Sequence, residues 1–288
     1  MRYFYLLRLH HWPKNAFIFI PAFFAGVLEN WTLIFILTQG FLCFGFVSSV
    51  VYIINDYRDR ETDRLHPTKK NRPLASGKIS ETTAIVLVVL LLAMAIPWGF
   101  FLSTAFGISL ITYLVINVMY SMGLKNVAIV DTLIVSSGFL IRTVSGGWLS
   151  NVPISQWLVI MVFLLSYFLA MGKRRDDLIL FQQGQVPLRA SSKNYSIEFV
   201  NTILSLLSGV IIVSYIMYTV SDEVVNRLHS EHLYITSLFV FAGLIRFLQI
   251  TMVEERSGSP TRIFLTDVFI QLTLAGWILC FLIIIYVA

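Results

Sequence analysis

Asn55-Asp56-Tyr57-Arg58-Asp59-Arg60-Glu61-Thr62-Asp63 closes the second long apolar run of the chain. If the helix of that run continues through it, Asn55, Asp59 and Asp63 fall at i, i+4 and i+8. At 100° per residue they spread over only about 80° of the helix surface, a single oxygen-bearing stripe. Asp56 lies one residue round from it. Carboxylates crowded on one face repel one another unless a cation sits among them. Hard oxygen donors suit Mg2+, which keeps waters and binds a few carboxylates together with substrate phosphates. Mg2+ is therefore the expected cofactor, with Asn55, Asp59 and Asp63 as its ligands and as the catalytic residues. The plainer alternative is a solvated helix end whose acids pair with Arg58, Arg60 and Arg64.

Outward from this stretch the chain is overwhelmingly apolar. Of its 288 residues 57% are hydrophobic and 13% charged, against roughly 25% charged in soluble domains, and the mean hydropathy is +0.79. Lipid must be the solvent for most side chains. Runs of roughly 20 apolar residues, the length a spanning helix needs, occur near 15–37, 39–57, 81–102, 104–121, 127–148, 155–172, 198–220, 232–252 and 265–286. They predict an all-α polytopic membrane bundle of about nine transmembrane helices, one domain over residues 1–288. Gln39-Gly40 is the weakest division between runs. Pro21, Pro97 and Gly107 interrupt runs in a way bundles tolerate. Cys43 and Cys280 lie in apolar runs and read as small buried hydrophobes, not as a disulfide or metal pair. Met1–Arg8 lacks the apolar core and cleavage site of a signal peptide, so the first span is expected to serve as its own insertion signal. The lipid bilayer, and no nucleic acid, is the expected macromolecular environment.

Charge sets the orientation. The basic residues gather at the N-terminus (Arg2, Arg8, Lys14) and after the second (Arg58, Arg60, Arg64, Lys69, Lys70, Arg72, Lys78) and fourth (Lys125) spans. More follow the sixth (Lys173, Arg174, Arg175, Arg189, Lys193) and eighth (Arg246, Arg256, Arg262). Only Arg227 falls on the other side, and Arg142 lies inside a helix. Basic loops stay in the cytoplasm, so the N-terminus is expected inside and the protein in the cytoplasmic (inner) membrane, multi-pass. Most acids share that side, including Asp176 and Asp177. An anchor needs only positive charge; dense mixed charge points to a site. Cytoplasmic site loops are expected around 55–80, 121–127, 172–197 and 253–265. Inside the fifth span Asp131 and Arg142 stand 11 residues apart, about 16 Å along the axis, too far to pair. Asp131 is expected to reach the site, and Arg142 to hydrogen-bond within the bundle. None of His10, His11, His66, His229 and His232 shows metal-ligand spacing.

Asn55 through Asp63 is similar to the NDxxDxxxD motif of the UbiA superfamily of intramembrane prenyltransferases. Arg72-Pro-Leu-Ala-Ser-Gly77 resembles the RPLxxG stretch that follows it there. Most members carry a second acidic motif, DxxxD, after the sixth helix. Here that place reads Gly172-Lys-Arg-Arg-Asp-Asp177, with two adjacent acids that point about 100° apart on a helix. The chain more nearly resembles the decaprenyl-phosphate phosphoribosyltransferase (5-phosphoribose synthase) branch. The stretches that carry this likeness are Leu9–Asn15, Asn55–Gly77, Tyr120–Asn126, Ser137–Arg142, Gly172–Arg175 and Gly258–Asp267.

That resemblance implies transfer of 5-phosphoribose from phosphoribosyl pyrophosphate to a polyprenyl phosphate, feeding cell-envelope glycans, with the metal on the departing diphosphate. The remaining phosphates need cations, and Lys14, Lys69, Arg72, Lys125, Lys173 and Arg174 are the expected phosphate-binding residues. Asp56, Asp131, Asp176 and Asp177 are expected as additional site residues. Arg60, Lys70, Arg189 and Lys193 read as membrane-surface anchors. Self-association is left open. Two alternatives stand: a conventional prenyltransferase moving an isoprenyl group from its diphosphate to an aromatic or other acceptor, and an anion transporter. The transporter would place its site near the bilayer midplane, whereas the charges here gather at one face.

Overall fold

The computed structural model describes residues 2–65, 69–184, 190–255 and 260–286. The expectations placed on His66, Arg189 and Arg256, on residues 258–259, and on the side chains of Arg2, Thr261 and Arg262 lie outside what it describes. All regular structure among the described residues is helical: α1 (Arg2–Leu7), α2 (Ile20–Phe24), α3 (Trp31–Arg64), α4 (Glu81–Leu102), α5 (Thr104–Met122), α6 (Val130–Ser150), α7 (Gln156–Gln182), α8 (Ile197–Thr219), α9 (Asp222–Leu228), α10 (Ser237–Met252), α11 (Pro260–Thr266) and α12 (Val268–Tyr286), with short 3-10 segments between them. Seven stretches among the described residues are long and apolar enough to cross a membrane, where nine were expected: α3, α4, α5, α7, α8, His232–Met252 and Val268–Ile285. Helix α6, with Asp131, Arg142 and six Ser and Thr residues, is not among them.

The first two expected spans are redistributed. Residues 15–37 do not form one helix. A 3-10 helix, Leu9–Phe19, runs into α2, and the chain turns before α3 begins at Trp31. Gly26 at φ 70 and Asn30, whose side chain accepts from the Leu33 N–H at 3.1 Å, mark the break. Glycine after one helix and an Asx cap before the next are the usual signals for it. Gly40, the expected break, is a packing position instead. A Cβ there would stand 2.5 Å from Leu149 and 2.7 Å from Ile18, so α3 runs through it while neighbouring side chains close in.

Helix α3 has 34 residues, about 51 Å at 1.5 Å per residue, against roughly 30 Å of hydrocarbon. It is longer than one crossing needs, and its charged residues, from Asp56 to Arg64, all lie in its C-terminal turns. Outward side chains along α4, such as Ile85, Val89 and Leu90, are exposed hydrophobes, as expected of a face whose solvent is lipid.

The chain packs as two compact units. One comprises Met1–Lys125 and Ile141–Pro153, the other Asn126–Leu140 and Ile154–Ala288. In the first, Ile18, Phe44, Val47, Phe106, Leu110 and Tyr113 form the core. Arg142 lies inside this unit and is satisfied as expected. Its Nε donates to Asn15 Oδ1 (2.7 Å), its Nη2 to Tyr113 OH (2.9 Å) and Ser48 Oγ (3.2 Å), and its guanidinium faces the Tyr113 ring. Four segments distant in sequence thus share one buried cation. In the second unit α7, α8 and α10 close over Phe168, Met171, Val200, Leu204, Phe247 and Ile250. Cys43 is buried and Cys280 half-buried, both as free thiols.

Candidate active site

The polar end of α3 is organised by the loop that follows it. Leu74 and Ile79 are buried in a cluster with Leu6, Ile53 and Ala84, which pins the Arg72–Gly77 stretch against the helix. Ser76 N donates to Arg72 O (2.9 Å), Ile79 N donates to Pro73 O (3.2 Å), and Gly77 takes φ 69, a conformation that favours glycine. Arg64 Nε reaches back to the Ala75 carbonyl (3.2 Å). The turn therefore presents Arg72 to the acids of α3. Its Nη1 donates to Asp63 Oδ2 at 2.7 Å and to Asp56 Oδ1 at 3.0 Å. Asp56 is 1% exposed and also receives Arg8 Nη2 at 2.5 Å.

One turn along the stripe, Asn55 Nδ2 donates to Asp59 Oδ2 (3.1 Å). Lys125, in the short 3-10 turn after α5, puts its Nζ 2.5 Å from Asp59 Oδ1 and 3.5 Å from Asn55 Oδ1, and Ser121 Oγ lies 3.4 Å from the same amide oxygen. The expected trio is thus divided. Asn55 and Asp59 share Lys125, while Asp63 shares Arg72 with Asp56. Sequence reasoning set Asp56 beside the stripe; it is the most buried carboxylate of the group, and its partner Arg8, 48 residues away, was missed. Of the plainer alternative only Glu61 is realised, paired with Arg60 and Arg64. Asp56, Asp59 and Asp63 draw on other cations.

Among the described residues no three His, Cys, Asp or Glu side chains are grouped to hold a metal by themselves. The donors nevertheless fit Mg2+ chemically. An amide oxygen and a carboxylate are adjacent at Asn55 and Asp59, and Mg2+ typically takes only one or two carboxylates, completing its octahedron with phosphate oxygens and water.

A second polar centre lies in the other unit, where α6 begins and α7 ends. Asp131 is fully buried. Arg174 donates to its Oδ2 through Nε (2.8 Å) and Nη2 (2.7 Å), and through Nη1 to Asp177 Oδ2 (3.0 Å). Ser191 Oγ adds a third bond to Asp131 Oδ2 (3.0 Å). Tyr195 OH accepts from the Ile129 N–H (2.5 Å), holding Ile129 at φ 70, an unusual value for a β-branched residue. Burial raises the Tyr195 hydroxyl above its ordinary range. Segment Ala190–Tyr195 is thereby fastened over the start of α6. Arg174, expected to bind phosphate, is saturated by two carboxylates. Asp176 is buried, Lys173 and Lys14 are exposed, and Lys69 is half-buried. In the same unit Arg246 forks between Asp267 (2.8 Å) and Glu254 (2.7 Å), and hydrogen bonding from Arg246 holds the Asp267 carboxyl below the usual range.

Carboxylates and cations thus interleave at the C-terminal end of α3, in a helical chain with seven stretches long and apolar enough to cross a membrane among the described residues. Residues 16–179 match the UbiA prenyltransferase family, and the chain belongs to that family. It is 30% identical over 281 residues to the decaprenyl-phosphate phosphoribosyltransferase of Mycolicibacterium smegmatis, covering 94% of this chain and 88% of that one. It is 27% identical over 285 residues to the protein of the same name from Corynebacterium glutamicum, covering 98% and 86%. Its fold is similar to that of a UbiA homolog from Archaeoglobus fulgidus bound to DMAPP and Mg2+, with TM-score 0.72, 17% identity and full coverage of both chains.

Proposed function

We propose that this chain transfers 5-phosphoribose from phosphoribosyl pyrophosphate to a polyprenyl phosphate, releasing diphosphate, in a Mg2+-dependent reaction at the cytoplasmic face of the inner membrane. The observation that carries this is the end of α3, where Asn55, Asp56, Asp59 and Asp63 alternate with Arg8, Arg72 and Lys125. Donor oxygens for a hard cation and donor hydrogens for phosphate stand side by side, as a substrate with a metal-bound diphosphate requires. The likeness over nearly the whole chain to decaprenyl-phosphate phosphoribosyltransferases supports the same reading.

Asn55 and Asp59 would hold the metal, with Asp63 joining them on release from Arg72, and the ion would supply neutralising charge to the diphosphate leaving group. Lys125 and Arg72 are placed to exchange a carboxylate for a phosphate oxygen, Arg72 with two donors at once. Asp56 keeps Arg8 and Arg72 in position. The bond from ribose C1 to the diphosphate oxygen breaks, and C1 bonds to an oxygen of the lipid phosphate. That nucleophile is already ionised near neutral pH, so no general base is required. The protein's work is positioning and fixed charge.

The test is incubation of purified protein with labelled phosphoribosyl pyrophosphate and polyprenyl phosphate, with mass spectrometry of the extracted lipid. A polyprenyl phosphoribose product is expected. The family's description as prenyltransferases favours a second reading, an isoprenyl diphosphate donor with an aromatic or other acceptor. Incorporation from that donor, and none from phosphoribosyl pyrophosphate, would replace the first reading with the second.

A further inference from the structure

Arg174 and Arg175 are neighbours on α7, about 100° apart around its axis, and the fold treats them oppositely. Arg174 is held by two carboxylates. Arg175 is 2% exposed. Its hydrogen bond runs from Nε to Asn201 Oδ1 (2.6 Å), a neutral amide, and its Nη1 is buried with no partner among the described residues. Asp176 and Glu255 act on it through space, without an ion pair among the described residues.

A guanidinium does not escape burial by losing its proton. A charge taken out of water with an amide as its one hydrogen-bond partner among the described residues, and acids acting only through space, is destabilising until a counter-charge binds it directly. No stability argument explains placing Arg175 here, since an apolar side chain of similar volume would fill the same space without that penalty. A ligand argument does. We propose that Arg175 is the anchoring cation of a phosphate subsite in the second unit, with Asn201 fixing the plane of the guanidinium and Nη1 left to donate to a phosphate monoester. This rests on the proposed function for the class of ligand, because both substrates carry such a group: the 5-phosphate of the sugar donor and the phosphate of the lipid. Arg174, the sequence-level choice for this task, is the structural member of the pair.

The experiment uses the full chain purified in detergent, with ribose 5-phosphate as the soluble probe and farnesyl phosphate as the lipid one. Equilibrium binding and thermal unfolding are read without turnover. Arg175→Met is expected to bind one probe about tenfold or more weakly, the loss that one charged hydrogen bond implies, with the other unchanged. The weakened probe identifies the source of the phosphate. Unliganded Arg175→Met should melt at or above the wild-type temperature. Unchanged binding of both probes overturns the proposal, as does failure of the wild type to bind either. A lower melting temperature with both probes weakened alike makes Arg175 a scaffold residue and also overturns it. If Arg175→Met yields no folded protein, Arg175→Lys keeps the charge and loses the fork. A tenfold loss for one probe then supports the subsite, and unchanged affinity sinks it. Absence of phosphoribosyl transfer by the wild type would refute the proposed function and leave these binding measurements standing.

Discussion

Asp56→Asn tests the organisation of the α3 end more sharply than any change to the metal donors. The carboxylate is 1% exposed and receives two guanidinium groups, Arg8 at 2.5 Å and Arg72 at 3.0 Å. The amide keeps the shape and one acceptor but removes the charge. Arg72 retains Asp63 at 2.7 Å, so its loss is partial. Arg8 retains the face of the Tyr52 ring at 4.8 Å and has no second acid among the described residues. A hydrogen bond to a charged group contributes roughly 1.5–3 kcal/mol, and removing one partner of a buried pair sits at the upper end of such effects. The Arg8 link lost whole and the Arg72 link lost in part together give about 2–4 kcal/mol of lost stability. The assay is reversible unfolding in mixed micelles, run as a double-mutant cycle of Asp56→Asn with Arg8→Met. A coupling of about 1.5–3 kcal/mol is expected. A coupling under about 0.5 kcal/mol, the ordinary limit for independent sites, would refute the claim that Asp56 positions Arg8.

Gly146→Ala should prevent folding of the first unit, because the new Cβ would stand 1.9 Å from the Ile18 carbonyl oxygen, a backbone atom that cannot step aside. Gly209→Ala, with nothing within 4 Å, should raise stability by about 0.5–1 kcal/mol; recovery and thermal unfolding of the two purified variants compare them. Asp59→Asn and Asp63→Asn should each abolish transfer while the protein still folds, and chelating divalent ions should do the same to the wild type. Normal turnover in either variant would remove that residue from the metal site. The Asp267 carboxyl is held low by Arg246, so its contribution to stability is complete above its unfolded value of roughly 3.9 and is lost as pH falls through the lower folded value. Acid unfolding curves of Asp267→Asn should therefore lack that part of the pH dependence.

The membrane class and the acidic stripe were legible because both are local. Apolar run length is read from neighbouring letters, and the 3.6-residue period puts Asn55 and Asp59 within hydrogen-bond reach whatever surrounds them. The hydrogen-bonding role of Arg142 was legible for a different reason: lipid offers a buried cation no alternative to partners inside the bundle. What local reading does not supply is which cation answers which acid. Arg58, Arg60 and Arg64 are nearest to Asp56, Asp59 and Asp63 in sequence, yet Arg60 and Arg64 turn to Glu61, while the three aspartates are met by Arg8, Arg72 and Lys125 from three other segments.

Glycine and arginine misled in the same way. Gly26 and Gly40 are the same letter, but Gly26 takes a positive φ at a turn and Gly40 admits Leu149 and Ile18 to the side of an unbroken helix. The Asx cap at Asn30 was the local clue that favoured the first. Arg174 and Arg175 carry the same charge one residue apart, and no composition or spacing rule ranks them. The helical rotation between them sends one to Asp131 and the other to Asn201. For a charged residue at a helix end, function therefore depends on whether the tertiary fold supplies a counter-charge. Arg174 is used up by the protein's own carboxylates. Arg175 keeps a donor in hand, and its chemistry is the one still open to a ligand.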